Sequence, residues 1–229
     1  MTIFRVPDEL LFPDPRLAEA DGLLGVGGDL EPARLLLAYQ MGIFPWFNDG
    51  DPILWWSPDP RMLIYPSEIH LSRSMKRFLN QGKFQVTLDQ DFTSVVRACA
   101  ETPREGQGGT WITSSMQAAY LRLFEQGYAH SVEVWEGEAL VGGLYGVSIG
   151  AAFFGESMFS HRTNGSKTAL ISLCRQLEQW GFSLLDCQLP TEHLTSLGGV
   201  EVPKELFLTQ LEAAVRLPTR PGPWSFTLE

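Results

Sequence analysis

Cysteine is scarce in this chain of 229 residues: Cys99, Cys174 and Cys187 form no CxxC pair and no metal-ligand spacing. Neither a disulfide framework nor a structural zinc site is signalled, and a reducing compartment fits best. The four histidines, His70, His130, His161 and His193, are too scattered to suggest a metal centre, and His193 reads as a loop or core residue before it reads as a catalytic one. Long apolar runs are missing as well. The longest uncharged stretch, 139–155, is rich in glycine and shorter than a spanning helix needs, so buried strands are expected there and no membrane contact. The first residues lack the basic start, apolar run and small-residue cleavage site of a secretory signal, which leads to the expectation of a cytoplasmic protein. Cations are also few. With 17 Lys and Arg against 27 Asp and Glu, the net charge of -10 excludes broad nonspecific attraction to nucleic acid, and any RNA contact has to be a local patch.

What is present divides the chain. Proline is dense through residue 66, and a compositional boundary falls near Arg61. Before it, Asp29 can cap a helix that tolerates Pro32 in its first turn, carries Leu35, Leu36 and Tyr39, and ends at Gly42. After it, helix and strand signals alternate. Apolar stripes predict helices over 72–79, after a cap at Asp89, and around Met116, Tyr120 and Leu123. Alternation predicts strands over 130–135, 140–147 and 151–159, with a hairpin turn at Glu136 and Gly137. A helix capped by Asn164 or Ser166, a strand over 182–187 and a last helix from Pro203 complete the pattern. The fold class is α+β: a small proline- and aromatic-rich N-terminal domain, 1–61, before a mixed-sheet domain flanked by helices, 62–229.

Three groups of residues could carry chemistry. Phe44, Trp46, Phe47, Trp55, Trp56 and Trp111 form an aromatic concentration that suits either core packing or the stacking of unpaired bases. Arg73, Lys76 and Arg77, at i, i+3 and i+4, put three cations on one helix face, as a phosphate backbone or plain solvent would accept. Glu156 interrupts the apolar segment Phe153-Phe154-Gly155-Glu156-Ser157-Met158. Asp186 ends another apolar run, and Gln188, two residues on, would share its side of an extended strand. Structural pairing and a functional pocket both account for such carboxylates. Gly165-Ser166-Lys167-Thr168 lacks the upstream glycine of a phosphate loop and is better explained by a helix start. Gly25, Gly27 and Gly28 lack the strand and helix that would make a dinucleotide loop.

Together, GGDLEPARLLLAYQMGIFPWF from Gly27, DPILWWSPDPR from Asp51, LSRSMKRF from Leu71, GTWIT from Gly109, GESMFS from Gly155, DCQ from Asp186 and HLTSLGG from His193 resemble the bacterial leucyl/phenylalanyl-tRNA–protein transferase family. The resemblance implies a catalytic domain similar to the GNAT acyltransferase fold but without coenzyme A or any other cofactor. It implies an aminoacyl-tRNA donor charged with Leu, Phe or sometimes Met, and acceptor proteins beginning with Lys or Arg that are thereby marked for N-end-rule degradation. A monomer is expected. Carried over residue by residue, the resemblance makes Asp186 and Gln188 the catalytic pair and puts Glu156 in the substrate site. Trp46 and Trp111 become platforms for the terminal adenosine, with Tyr39 and Tyr120 nearby, and Leu144, Phe153, Met158, Leu170 and Leu185 line an apolar pocket. Arg73, Lys76 and Arg77 would hold the tRNA backbone. One departure stands out: family members often carry further basic residues after that helix, where this chain keeps only Lys83. Two rival classes fit less of the pattern, an acyl-CoA N-acyltransferase, whose phosphate-binding loop is not evident, and a noncatalytic RNA-binding module, which gives Asp186 and Gln188 no role.

Overall fold

In the computed structural model, residues 3–102 and 111–226 are described. Eleven strands and seven α-helices are found among them: β1(Phe4–Val6), β2(Leu23–Gly27), α1(Pro32–Gln40), β3(Phe44–Pro45), β4(Leu54–Trp56), β5(Arg61–Ile64), α2(Arg73–Leu79), β6(Gln85–Leu88), α3(Phe92–Glu101), α4(Ser114–Glu125), β7(Ala129–Glu136), β8(Ala139–Ile149), β9(Ala152–Ser160), α5(Gly165–Gln179), β10(Leu184–Gln188), α6(Glu192–Ser196), β11(Val200–Val202) and α7(Lys204–Val215). Gly109 and Thr110 of the GTWIT segment lie outside the described residues.

The strands form a small sheet in the order β1-β2-β4-β3 and a large one in the order β11-β5-β10-β9-β8-β7-β6. The large sheet is antiparallel except where β10 runs parallel to β9. Alternation along its strands sends successive residues into different cores. Phe154, Tyr145, Leu184 and Leu63 join the cluster shared with α1, α3, α4, α7 and the small sheet, whereas Phe153, Leu144, Leu185, Met62 and Ile64 join the cluster under α5. Leu24, Leu35 and Trp55 of the proline-rich segment pack into the same cluster as Phe92 and Phe207. Helix α5 approaches β8 closely because both contact points are glycines. A Cβ on Gly142 would lie 2.6 Å from the Gly165 carbonyl carbon.

Two predicted caps are assigned differently. Asp91 caps α3, accepting from Ser94 N at 3.1 Å, while Asp89 is buried and accepts from Ser131 N, from Trp224 N and, at 2.8 Å, bonds His130 Nδ1. Likewise Glu31 is the capping residue of α1; Asp29 accepts from Glu31 N and pairs with Arg34. In both places two acidic residues lie two positions apart; Asp89 is drawn off by the long-range partners His130, Ser131 and Trp224, and Asp29 by its near neighbours Glu31 and Arg34. No helix among the described residues is long and apolar enough to cross a membrane.

Candidate active site

The site exists because two neighbouring strands part. β9 and β10 pair only through Leu184↔Ala152, Leu185↔Phe153 and Asp186↔Phe154. Beyond that point β9 continues against β8 alone, while β10 bulges between Asp186 and Gln188, with Gln188 in a left-handed conformation at φ 59°. Into the gap open two confluent cavities of about 240 Å³ each, which share Glu156, Cys187, Gln188, Thr191 and Leu194 as common wall. One arm is apolar. Leu144, Phe153, Met158, Leu170 and Leu185, all expected there, line it together with Leu173 and His193. The other arm is aromatic, bounded by Phe44, Pro45, Trp46 and Trp111. Trp46 is held in place by its backbone, whose carbonyl accepts from Trp56 Nε1 at 2.7 Å.

Glu156 stands at the junction of the arms. Its carboxylate accepts from Tyr39 Oη at 2.7 Å and from Tyr120 Oη at 2.5 Å, and the two phenols lie 2.6 Å apart. Tyr39 comes from α1, Tyr120 from α4 and Glu156 from β9, so three elements remote in sequence build one cluster. Burial pushes the Glu156 carboxyl up to about 7; the hydroxyls of Tyr120 and Tyr39 oppose that, Asp186 reinforces it and Arg61 opposes it. Burial first, then the Glu156 charge, holds both phenols well above their ordinary range, so they remain neutral donors. A carboxyl that titrates near neutrality, in a cleft, is suited to taking up and returning a proton.

Asp186 is placed otherwise than the sequence suggests. An extended strand would send Asp186 and Gln188 to one side, facing one reacting centre, but the bulge and the left-handed residue break the alternation. Gln188 lines both cavities and Asp186 lines neither. The Asp186 carboxylate is fully buried behind the wall. It receives Arg61 Nε at 2.8 Å and the terminal guanidinium nitrogen at 2.7 Å, while Gln188 N donates to its Oδ1 at 2.9 Å. Arg61 is itself sandwiched between the rings of Phe44 and Phe207, 4.9 and 4.6 Å from their centroids. Both oxygens are thus committed to a bidentate ion pair, and Asp186 fixes the bulge that aims Gln188 into the cleft. The Gln188 amide nitrogen is buried without a hydrogen-bond partner among the described residues.

Arg73, Lys76 and Arg77 are exposed on α2 and border neither cavity. Lys83 is engaged, 3.0 Å from Glu136. Arg61, Thr191, Leu173, Leu194 and His193 carry no sequence signal strong enough to place them at the site. Arg61 carries a signal like that of Glu156, a charge in an otherwise apolar strand, Arg61-Met62-Leu63-Ile64, but its position coincides with the compositional boundary.

Residues 63–212 match the family described as leucyl/phenylalanyl-tRNA protein transferase, and residues 28–59 match the N-terminal domain of the same family. A leucyl/phenylalanyl-tRNA–protein transferase of Desulforapulum autotrophicum is 52% identical over 227 residues, covering 99% of each chain. One from Anaeromyxobacter dehalogenans strain 2CP-C is 56% identical over 224 residues, covering 98% of this chain and 96% of the relative. Among solved structures, a GCN5-related N-acetyltransferase from Kribbella flavida aligns over 76% of this chain and 61% of its own at a TM-score of 0.38 and 10% identity, a likeness with no functional implication. Identity at this level over nearly the whole length, with family matches on both sides of the Arg61 junction, means that the chain belongs to the leucyl/phenylalanyl-tRNA–protein transferase family.

Proposed function

We propose that this aminoacyltransferase moves leucine or phenylalanine, and less often methionine, from tRNA to the N-terminal α-amine of proteins beginning with lysine or arginine, marking them for N-end-rule degradation in the cytoplasm. The supporting observation is the junction itself: an apolar arm and an aromatic arm meet at a wall that Glu156 and Gln188 share. The amino-acid side chain enters the apolar arm, the terminal adenosine lies against Trp46 and Trp111, and the ester linking them falls at the junction.

An aminoacyl ester is already activated, so alignment supplies much of the acceleration and no cofactor is required. The acceptor amine attacks the ester carbonyl carbon, forming the C–N bond. Glu156, ionised, takes the proton that the amine releases, a transfer matched to an α-amine of pKa about 8. The Gln188 amide donates to the carbonyl oxygen as negative charge develops on it. Collapse breaks the C–O bond to the ribose, whose oxygen leaves with the proton returned by Glu156. Asp186 and Arg61 do not touch the reacting atoms in this scheme; they are positioning residues for Gln188.

A hydrophobic cavity separates ligands differing by one methylene by only about 1–3 kcal/mol, which allows leucine and phenylalanine to share the arm. β-Branched isoleucine is expected to fit worse. The test is transfer of labelled leucine from charged tRNA to a peptide beginning with arginine, for wild type, Glu156→Gln and Gln188→Ala. Transfer by wild type that both variants lose, with tRNA binding retained, supports the scheme. Its absence in well-folded wild type favours the acyl-CoA or RNA-binding alternatives.

A further inference from the structure

Outside the cleft, a smaller cavity of about 140 Å³ is lined, beside Met75 and Leu197, by polar side chains from three elements: His70, Ser72 and Ser74 around α2, Asn164 and Lys167 at the start of α5, and Ser196 at the end of α6. Every one of these polar side chains can donate a hydrogen bond, and no carboxylate among the described residues borders the cavity, in a chain whose net charge is -10. Some of the donors are already used. Ser72 Oγ accepts from Met75 N and lies 3.0 Å from Ser74 Oγ, and Ser196 Oγ donates to the His193 carbonyl at 2.7 Å. Lys167 is different: it pairs with no carboxylate among the described residues. Asn164, left-handed at φ 71°, makes no side-chain cap to its own helix.

The position of the cavity indicates its ligand. Ser72 and Ser74 belong to the first turn of α2, the same helix whose exposed residues include Arg73, Lys76 and Arg77. The cavity also adjoins α6, whose Leu194 walls both arms of the cleft while Ser196 walls this cavity. Those two residues lie within one turn, about 3 Å of helix rise apart. Burial, and then the nearby Lys167 ammonium, hold the His193 imidazole below its ordinary range, consistent with Lys167 lying close to the cleft.

We propose that this cavity binds a phosphodiester of the donor tRNA, with Lys167 and Asn164 as its principal donors. The proposal rests on the transfer reaction above and adds an anchor for the single strand between its terminal adenosine in the aromatic arm and the backbone contacts on α2. It also gives Lys167 of the Gly165-Ser166-Lys167-Thr168 segment a phosphate to hold without a phosphate-loop fold.

The experiment compares two donors, leucyl-tRNA and leucyl-adenosine, the latter carrying no phosphate. Lys167→Met is expected to raise KM for leucyl-tRNA about five- to tenfold and to lower the slope of its log KM against log salt by about 0.7, the single-strand increment for one phosphate contact. KM and kcat for leucyl-adenosine should not change, Lys167→Arg should restore most of the tRNA affinity, and Asn164→Ala should act in the same direction as Lys167→Met. An equal loss with both donors would overturn the proposal by showing that Lys167 shapes the cleft, as would an unchanged KM for leucyl-tRNA. Titration with inorganic phosphate tests the other source of the same chemistry: Lys167-dependent phosphate binding with undiminished tRNA affinity reassigns the cavity to a free anion. Filter binding of uncharged tRNA to wild type and Lys167→Met measures the contact without transfer. Failure of wild type to transfer from either donor would count against the proposed reaction, while equal retention of uncharged tRNA by wild type and variant would count against this site.

Discussion

Glu156 and Asp186 are carboxylates from two strands of one sheet, each withdrawn from bulk water, and they meet different partners. Asp186 meets a cation. Arg61 engages both of its oxygens, is clamped between Phe44 and Phe207, and leaves no oxygen facing the cleft. Glu156 meets two neutral phenols, which donate to it without supplying a charge; burial therefore outweighs their opposing hydrogen bonds, and its carboxyl rises to about 7. Burial of a carboxylate does not by itself make a base; its partners decide whether its oxygens are committed to a structural pair or stand open to the cleft.

The contrast can be broken most severely at Arg61. Arg61→Met should strand a fully buried carboxylate and cost about 3–5 kcal/mol in urea denaturation, whereas the double variant Arg61→Met with Asp186→Leu should recover a large part of it. If the single variant is as stable as wild type, the pair is not a lock. At Glu156 the expectation is reversed: Glu156→Gln should keep the folded state yet lower kcat/KM about a hundredfold or more, the usual contribution of general acid–base catalysis. A variant with wild-type kinetics would remove Glu156 from the proton path.

Stability against pH tests the Glu156 side of the contrast. The folded pKa of Glu156, about 7, lies above its unfolded value of 4.5, so the folded state holds a proton that the unfolded chain releases between them. Its contribution is present below pH 4.5, declines as pH rises through that window, and is gone above about 7, a change of at most about 3 kcal/mol. Chemical denaturation at a series of pH values should show that decline in wild type and its loss in Glu156→Gln. The smallest expected effect is at Tyr120. Removing its hydroxyl in Tyr120→Phe takes away a hydrogen bond that lowers the Glu156 pKa, so the rising limb of the pH–rate profile should move to higher pH. A shift to lower pH would contradict the assigned direction of that bond.

Much of this arrangement was legible in residue order. Stripes such as Phe92, Val95, Val96 and Cys99 gave α3, and the alternation through 130–159 gave the central antiparallel strands, because helix and strand periods are local properties of the chain. The short strands of the N-terminal sheet were not foreseen: two to five residues carry too little periodicity, and β1, β2, β3 and β4 are defined by one another. The apolar-arm residues were named through resemblance to a family, and the cleft does assemble them. The role of Arg61 was missed since its partner lies 125 residues away.

By itself, then, the sequence determined the α+β class, the helices and central strands, the family, and the residue types a transfer site would draw on, all of which depend on local pattern or on ordered motifs. Tertiary structure alone decided which aspartate caps α3, that β10 bulges after Asp186, and that Glu156 rather than Asp186 faces the cleft between neutral partners. Those outcomes depend on register, burial and the charge of neighbours brought together by folding, and a residue's place in the chain does not encode the dielectric or the company it will meet.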